Sequence, residues 1–374
     1  MRVVIAGGGT GGHVFPGMAV AEVLRTSDPS AEVVFIGTER GIESRVLPKA
    51  GYQIRFIQAE GFIGKSLLKR ASALVKLFLS LFASRRILKA LCPDIVIGTG
   101  GYVSMGPVLA ASLMSIPTLI IEHNLVPGLA NKMLGKFVDA VAVTYHESIN
   151  FFPKDKTHLT GTPIRPGVLG ADRSSSYGVF GLDEGRFTVF ITGGSSGSRS
   201  MNNAVISALS YLAGLKENMQ FLHQTGEADF EAVKKTMRKH GMSGVVAPFI
   251  YRMAEAYAVA DLVISRAGAT TIAELAALGK PSILVPYPHA ARHQEFNAER
   301  LARLGAAIMM RQEELTGEAL AGKIKEIFLS AEKRAEMRKQ CLSIGRPDAA
   351  ERVADIARSL VNLRKGAKCS SATG

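Results

Sequence analysis

Residues 3–24 read VVIAGGGTGGHVFPGMAVAEVL, and this stretch decides the fold class. Its four leading apolar residues are typical of a buried parallel strand, the glycines over residues 7–12 predict a tight turn, and Pro16 begins a helical apolar pattern. Such a turn brings the backbone close to a ligand, and the amides and positive dipole at the helix start favour a phosphate or diphosphate. We therefore expect an α/β domain that binds a phosphorylated ligand.

A second stretch repeats this pattern. Residues 188–205 read TVFITGGSSGSRSMNNAV, which again predicts a strand, a glycine-serine turn and a helix start. Two such turns about half a chain length apart predict two Rossmann-like, doubly wound α/β domains that face one another across a cleft. We expect these domains over residues 1–163 and 164–345. A helix over residues 346–363 is expected to pack back toward the first domain, followed by a disordered tail over residues 364–374.

The composition narrows the class of partner. Lys and Arg outnumber Asp and Glu by 45 to 32, a net charge of +13 over 374 residues, which favours anionic partners such as nucleic acid, phosphorylated substrates or an acidic membrane. The low aromatic content of 7% and the absence of Trp argue against base-stacking platforms. Neither an Asp-x-Asp sequence nor a cluster with metal-ligand spacing occurs, so no metal is expected.

A long basic helical pattern over residues 65–91 suggests a membrane contact. Its uncharged run, residues 77–84, is far shorter than the roughly 20 residues that span a bilayer, but suits a helix lying on an anionic surface. An ordinary helix packed on the sheet is the alternative. The predicted apolar face comprises Leu74, Leu77, Phe78, Leu81 and Phe82, widened by Val75 and Leu79. The flanking cations are Lys65, Lys69, Arg70, Lys76, Arg85, Arg86 and Lys89.

Two side chains are candidates for proton transfer. His13 lies where the first glycine turn enters its helix, and the helix dipole favours its neutral, proton-accepting form. Glu122 follows an apolar strand at the sheet edge where open α/β sheets bind ligands, so it is a candidate base or orienting group. A packing or donor role for His13 and a simple loop acid for Glu122 remain the alternatives.

Residues 265–274, SRAGATTIAE, predict another ligand-binding turn after a strand. Gly268 allows close backbone approach, and Glu274 has two oxygens that suit a ribose diol. Thr271 and Glu274 also have the spacing of a helix capping box, which is the alternative. The Gly7, Gly9 and Gly12 spacing alone would suggest a dinucleotide, for which Glu39 is a loose candidate partner.

Seven motifs together resemble one family, the bacterial peptidoglycan N-acetylglucosaminyltransferases, across nearly the whole chain. They are GGGTGGHVFPGMAVA, GTGGYVS, IIEHN, GTPIR, TGGSSGS, SRAGATTIAEL and VPYPHAARHQEFNA. The resemblance implies a GT-B fold and an inverting transfer of N-acetylglucosamine from UDP-N-acetylglucosamine to the C4 hydroxyl of undecaprenyl-diphospho-N-acetylmuramoyl-pentapeptide, without cofactor or essential metal. A UDP-N-acetylglucosamine 2-epimerase of the same fold is the alternative.

The resemblance also implies peripheral attachment to the cytoplasmic face of the plasma membrane. The expected partners are the donor, the lipid-linked muramoyl-pentapeptide and an anionic membrane surface, with other cell-wall synthesis proteins as candidates and no nucleic acid.

Residue roles carry over from the matching motifs. The catalytic positions are His13 and Glu122, between which the sequence does not choose the base. The acceptor-binding positions are Tyr102 and Asn131. The donor-binding positions are Thr10, Gly11, Gly12, Asn124, Arg165, Ser195, Ile250, Ala269, Thr270, Thr271, Ile272, Ala273, Glu274 and Gln294. His293 stands where some members carry the first Gln of a pair, which leaves Gln294 as the sugar contact.

Overall fold

The first glycine turn lies between a buried strand and a helix, as the sequence predicts, but the helix begins at Gly11, before the predicted start at Pro16, and includes Gly12. In the structure, a computed structural model that describes residues 1–59, 67–288 and 292–372, strand β1 is Arg2–Ala6 and helix α1 is Gly11–Ser27. Val3 and Ile5 enter one apolar cluster and Val4 and Ala6 another. Because alternate residues of a strand point to opposite faces, the sheet is buried on both sides.

The chain divides into two compact units. Unit 1 comprises Met1–Arg165 with Pro347–Gly374, and unit 2 comprises Pro166–Arg346. The chain therefore leaves unit 1 after Arg165 and re-enters it at Pro347. Each unit has its own apolar clusters on both faces of a parallel sheet.

Unit 1 has a doubly wound parallel sheet. Its further strands are β2 Glu32–Gly37, β3 Gln53–Phe56, β4 Ile95–Gly98, β5 Thr118–Glu122, β6 Ala140–Val143 and β7 Thr157–Leu159. Its further helices are α2 Glu43–Lys49, α3 Leu67–Leu91, α4 Met105–Leu113, α5 Leu129–Leu134 and, at the end of the chain, α14 Ala349–Ala372. The described strands pair in the order β3-β2-β1-β4-β5-β6-β7, so the strand order reverses between β1 and β4.

Unit 2 repeats this topology. Its strands are β8 Phe187–Thr192, β9 Met219–Gln224, β10 Ser243–Ala247, β11 Leu262–Ser265, β12 Ser282–Leu284 and β13 Ile308–Met309. Its helices are α6 Arg173–Phe180, α7 Arg199–Ala208, α8 Phe230–Lys239, α9 Met253–Val259, α10 Ala269–Leu278, α11 His293–Arg303, α12 Gly317–Leu329 and α13 Ala331–Ile344. The order β10-β9-β8-β11-β12-β13 reverses between β8 and β11. Ligands of doubly wound sheets bind at such reversals, beyond the carboxyl ends of the strands.

The last helix differs from the prediction. A disordered tail was expected over residues 364–374, whereas α14 continues to Ala372 and residues 373–374 lie outside the described residues. Leu363, Arg364 and Lys365 are good helix formers and no proline follows them, so local propensity continues the helix. The helix packs on unit 1, where Val353, Ala354, Ala357 and Val361 join the cluster that contains Val3.

Within the described part of helix α3, one side chain of the predicted apolar face points inward. Leu81 is wrong as a member of the outward stripe, because it packs against the core, and Ser80, Ser84 and Leu88 are buried on the same side of the helix. Among the side chains of α3 that the structure describes, the exposed large apolar ones are Phe78, Leu79 and Phe82, with exposed fractions of 61%, 54% and 68%. We call these three residues the α3 apolar face. Lys65 lies outside the described residues, as do the side chains of residues 67–77.

Candidate active site

The first glycine turn fixes the ring of His13. His13 is the third residue of α1, and its Nδ1 lies 3.2 Å from the Gly8 carbonyl oxygen and 3.3 Å from Thr10 Oγ1. Because a carbonyl oxygen only accepts hydrogen bonds, Nδ1 carries the hydrogen and Nε2 is the unprotonated nitrogen. His13 thus presents its basic nitrogen away from the turn.

Another glycine turn, at Gly100 and Gly101 after β4, packs against the same ring. A Cβ at Gly100 would lie 2.9 Å from His13 Cδ2, and one at Gly101 would lie 3.1 Å from His13 Nδ1. Both glycines also have positive φ, 103° and 73°, which favours glycine there. Burial lowers the pKa of His13, while the Gly8 carbonyl and the charge of Glu43 oppose that effect. His13 is therefore neutral at pH 7 and able to accept a proton.

Glu122 is the last residue of β5, and both of its carboxylate oxygens accept hydrogen bonds. Oε1 accepts from the Asn124 backbone and side-chain amides at 2.9 and 3.2 Å, and Oε2 accepts from Gly128 N and Asn131 Nδ2 at 3.1 and 3.0 Å. Burial raises the pKa of Glu122, and these four donors oppose the rise. The geometry makes Glu122 an organiser of the loop after β5 more than a proton acceptor.

Tyr102 and Arg165 approach the first turn from other segments. The Tyr102 hydroxyl would lie 3.9 Å from a Cβ at Gly9, and 40% of the Tyr102 side chain is exposed. The Arg165 guanidinium carbon lies 4.5 Å from the ring centre of Phe15, which is in the second turn of α1. Stacking on Phe15 places a permanent positive charge beside the helix start that carries Thr10, Gly11 and Gly12.

Sequence reasoning missed two buried residues in unit 1. Nε2 of His123 donates to the Thr99 carbonyl at 2.9 Å, its ring centre lies 6.5 Å from that of His13, and burial lowers its pKa to about 3. Glu43 is completely buried and accepts a hydrogen bond from the Gly9 amide at 2.8 Å. Its position at a helix start signals only a cap, so the sequence offered no clue to the Gly9 contact.

The glycine-serine turn of unit 2 presents Ser195 to solvent before α7. Gly194 and Gly197 have φ of 90° and 73°, and a Cβ at Gly197 would overlap the Thr225 carbonyl oxygen. Ser198, the residue before α7, forms no side-chain cap. The first amides of α7 therefore point toward the turn, the usual arrangement for binding a phosphate group.

Arg266 braces this turn and was missed in the sequence. It follows β11 in the SRAGATTIAE motif, and its guanidinium contacts three neighbouring segments of the chain. The guanidinium donates hydrogen bonds of 2.7–3.2 Å to Ser198 Oγ, Ser200 Oγ, Gln312 Oε1 and the carbonyls of Val285 and Pro286. A fork of fixed donors suits this task, because one side chain ties several loops together.

The remaining positions predicted to bind the sugar donor lie at the same edge of the unit 2 sheet. The Ile250 amide donates to Gln224 Oε1 at 2.8 Å, so its carbonyl is the group suited to a base edge. Gln224 also donates to the Gly194 carbonyl at 2.9 Å, which links this position to the glycine-serine turn. At the start of α11, Gln294 Oε1 accepts from the Tyr287 amide at 3.0 Å.

Glu274 does not belong to a capping box. Helix α10 begins at Ala269 with Gly268 as its cap, so Thr271 and Glu274 lie inside the helix and the capping alternative is wrong. The Glu274 side chain is 5% exposed, and its Oε2 accepts a hydrogen bond from the Tyr257 hydroxyl at 2.9 Å. The first six residues of α10 are Ala269, Thr270, Thr271, Ile272, Ala273 and Glu274. They lie at the N-terminal end of the helix, directly after the turn that follows β11.

Comparison with known proteins decides the family. The sequence model of the glycosyltransferase family 28 N-terminal domain matches residues 3–143, and that of the C-terminal domain matches residues 188–358. The chain belongs to glycosyltransferase family 28. Its two parallel α/β units confirm the GT-B fold predicted from the sequence.

Other members of glycosyltransferase family 28 match over nearly the full length. A relative from Thermodesulfovibrio yellowstonii, named UDP-N-acetylglucosamine--N-acetylmuramyl-(pentapeptide) pyrophosphoryl-undecaprenol N-acetylglucosamine transferase, is 51% identical over 98% of this chain and 100% of its own. The crystal structure of Acinetobacter baumannii MurG is 31% identical, with a TM-score of 0.75 and coverage of 96% of this chain and 99% of that one.

The epimerase alternative is only a distant likeness. A UDP-GlcNAc 2-epimerase from Neisseria meningitidis is 14% identical, with a TM-score of 0.67 over 96% of this chain and 100% of that one, which shows a shared fold alone. The family 28 chain is a glycosyltransferase. Among its described residues, no helix combines the length and apolarity that crossing a membrane requires.

Proposed function

We propose that this glycosyltransferase moves N-acetylglucosamine from UDP-N-acetylglucosamine to the C4 hydroxyl of undecaprenyl-diphospho-N-acetylmuramoyl-pentapeptide, with inversion at the anomeric carbon. The observation that carries the proposal is the 51% identity to the Thermodesulfovibrio yellowstonii transferase along its whole length. The name of that relative states both the donor sugar and the lipid-linked acceptor.

His13 is the proposed base. The acceptor hydroxyl gives its proton to Nε2 while its oxygen attacks the anomeric carbon, and the bond from that carbon to UDP breaks with the electron pair leaving on UDP. The Nδ1 hydrogen bond to Gly8 supports this role, because it leaves Nε2 unprotonated. Glu122 is the second candidate, and its four hydrogen bonds favour an orienting role through Asn124 and Asn131.

The leaving group needs positive charge and amide donors. We assign the donor diphosphate to Arg165 and to the turn that carries Ser195, and place Thr10, Gly11 and Gly12 beside the reacting phosphates. These groups stabilise the negative charge that develops on UDP. In this proposal a metal ion has no role in the departure of UDP.

The donor nucleoside and sugar are assigned to unit 2. The Ile250 carbonyl is proposed to accept from uracil, residues 269–274 to line the ribose, with Glu274 accepting from its hydroxyls, and Gln294 to contact the sugar. In unit 1, Asn124 is assigned to the donor, and Tyr102 and Asn131 to the acceptor. These roles rest on the matching motifs and on the positions described above.

We also propose peripheral attachment to the cytoplasmic face of the plasma membrane through α3. The α3 apolar face is exposed, and Arg85, Arg86 and Lys89 are exposed on the following turns. Apolar side chains beside cations suit shallow insertion among anionic headgroups. A membrane-bound acceptor requires the enzyme at that surface.

A transfer assay tests the proposed activity. Purified protein is given UDP-N-acetylglucosamine with and without the lipid-linked muramoyl acceptor, and UDP release and disaccharide are measured, in buffer with and without EDTA. We expect acceptor-dependent UDP release and a lipid-linked disaccharide in both buffers. Conversion of the donor without acceptor would favour the epimerase, and a loss in EDTA that Mg²⁺ restores would contradict the leaving-group assignment.

A further inference from the structure

A buried carboxylate lies directly behind the first glycine turn. Glu43, the first residue of α2, has an exposed fraction of 0%. Its Oε2 accepts from the Gly9 amide at 2.8 Å, and its Oε1 accepts from the Thr38 amide at 2.9 Å and from Thr38 Oγ1 at 2.8 Å. Burying a carboxylate is costly unless such donors satisfy it, so this placement requires a built environment.

Glycines make the space for this carboxylate. A Cβ at either Gly8 or Gly41 would overlap the Glu43 carboxylate, and a Cβ at Gly37 would lie 2.6 Å from Glu43 Cγ. Gly8 is thus required for contact with Glu43, whereas the sequence suggested a glycine needed for approach to a ligand. Because the Gly9 amide donates to Glu43, it is not among the amides available to a phosphate.

The same peptide group contacts both Glu43 and His13. The peptide between Gly8 and Gly9 donates its N–H to Glu43 Oε2, and its carbonyl oxygen accepts from His13 Nδ1. The two groups of a trans peptide point in opposite directions, so the peptide lies between the carboxylate and the imidazole. A charged acceptor on the N–H polarises the peptide and strengthens its carbonyl as an acceptor.

We propose that Glu43 is a positioning residue for His13. Acting through the Gly8–Gly9 peptide, it holds the imidazole in the tautomer with hydrogen on Nδ1 and Nε2 ready for the acceptor proton. This inference rests on the proposed role of His13 as base, and it adds a residue that does not touch either substrate. In Ser-His-Asp triads a carboxylate accepts a hydrogen bond from the imidazole directly, whereas here a peptide group lies between the carboxylate and the imidazole.

The charge of Glu43 gives the proposal a measurable sign. The negative charge raises the pKa of His13 against the lowering effect of burial. Of the other titratable side chains, His123 places its ring centre 6.5 Å from that of His13, and the Tyr102 hydroxyl would lie 3.9 Å from a Cβ at Gly9 in the same turn. Burial and, to a smaller extent, the neighbouring His13 lower the pKa of His123 to about 3, so His123 stays neutral through the working range. Removal of the Glu43 charge is therefore expected to lower the pKa of His13 further.

Three variants separate the possible roles. Glu43→Gln keeps the shape but removes the charge and one acceptor. Thr38→Val is the matched control, since it removes one hydroxyl donor from the same carboxylate but leaves the charge and the Gly9 contact. His13→Gln tests the base itself. For each, we measure the pH profile of kcat/KM with the lipid-linked acceptor, the donor KM, the thermal midpoint and the ¹⁵N signals of labelled histidine.

In the wild type, we expect the His13 signals of the tautomer with hydrogen on Nδ1. Glu43→Gln is expected to move the acidic limb of the pH profile and the His13 titration down by about 0.5–1 pH unit. It should lower kcat by about tenfold or more, with donor KM changed by less than about twofold. Thr38→Val should leave both titrations in place.

Different results overturn different claims. If His13→Gln retains the wild-type rate, the base assignment in the proposed function is wrong. If His13→Gln is inactive while Glu43→Gln leaves the tautomer and the acidic limb unchanged, the base stands and the Glu43 inference falls. If Glu43→Gln does not fold, the wild-type spectrum decides, because hydrogen on Nε2 of His13 would overturn the inference. Glu43→Asp, which shortens the reach to Gly9, then provides the second variant.

Discussion

The hydroxyl of Tyr257 donates a hydrogen bond to Glu274 Oε2 over 2.9 Å, and both side chains are buried in unit 2. Tyr257 thereby fixes one oxygen of the carboxylate that we assign to the donor ribose. We expect Glu274→Gln to raise the donor KM, because the variant loses a charge-assisted hydrogen bond that contributes about 1–3 kcal/mol to the free energy of donor binding. Steady-state kinetics with varied UDP-N-acetylglucosamine measure this change.

Tyr257→Phe is the matched control for that prediction. It removes the orienting donor but leaves the carboxylate, so its effect on donor KM should be smaller than that of Glu274→Gln. A Glu274→Gln variant with reduced thermal stability and unchanged donor KM would show that this carboxylate serves only the fold.

A second prediction concerns Arg266. Lysine cannot reproduce a fork that contacts Ser198, Gln312 and two carbonyls together, so Arg266→Lys should loosen the glycine-serine turn. We expect UDP affinity, measured by calorimetry, to fall about tenfold, a free-energy loss of about 1.4 kcal/mol. Arg303→Lys is the control, since 81% of the Arg303 side chain is exposed on α11. Equal affinities for the two variants would show that Arg266 does not support the turn that carries Ser195.

A third prediction concerns the membrane. Leu79→Glu with Phe82→Glu should weaken binding to vesicles of anionic lipid and slow turnover of membrane-embedded acceptor, because two carboxylates oppose insertion and repel the headgroups. A water-soluble short-chain acceptor should still be used at the wild-type rate. Sedimentation with vesicles and parallel assays of both acceptors measure these effects.

A control from unit 2 distinguishes docking from general charge effects. Tyr211→Glu with Leu329→Glu adds the same charge at apolar side chains that are 48% and 74% exposed. Vesicle binding of this control should stay at the wild-type level. Unfolding of the α3 double variant, or equal loss of both acceptors, would contradict the docking proposal.

A fourth prediction concerns stability at acid pH. His223 is buried in unit 2, its Nε2 lies 3.0 Å from Asn202 Oδ1, and burial lowers its pKa to about 3. The unfolded chain binds this proton near pH 6.5, so the native state loses stability as the pH falls from about 6.5 toward 3. The thermal midpoint should therefore drop on acidification, and drop less in His223→Gln. An identical pH dependence in both proteins would exclude His223 as a contributor.

The sequence predicted the parts of the site that local pattern determines. Signals within a few neighbouring residues mark the glycine turn over residues 7–12, the glycine-serine turn of unit 2, the strand before Glu122 and the helix start at His13. Glu43 is different, since its contact with Gly9 joins residues 34 apart and depends on how α2 packs. Local spacing could not show that Glu43 lies behind the turn.

Two interpretations failed for related reasons. Thr271 and Glu274 have capping-box spacing, but α10 begins before both of them, and only the tertiary contact with Tyr257 shows what Glu274 does. Leu81 fits the apolar stripe of α3 by periodicity, but packing turns it toward the core. An amphipathic pattern defines an arc, and the neighbouring elements decide which part of that arc is covered.

The return of α14 to unit 1 has a consequence for protein synthesis. Val353, Ala354, Ala357 and Val361 complete the cluster that includes Val3 and Ile5, although some 350 residues separate the two groups. Domains generally fold in the order in which they leave the ribosome, N-terminal first. Here residues 1–165 must wait for α14 before their core is complete, whereas residues 166–346 are available earlier as a complete unit. We therefore expect residues 166–346 to finish folding before residues 1–165.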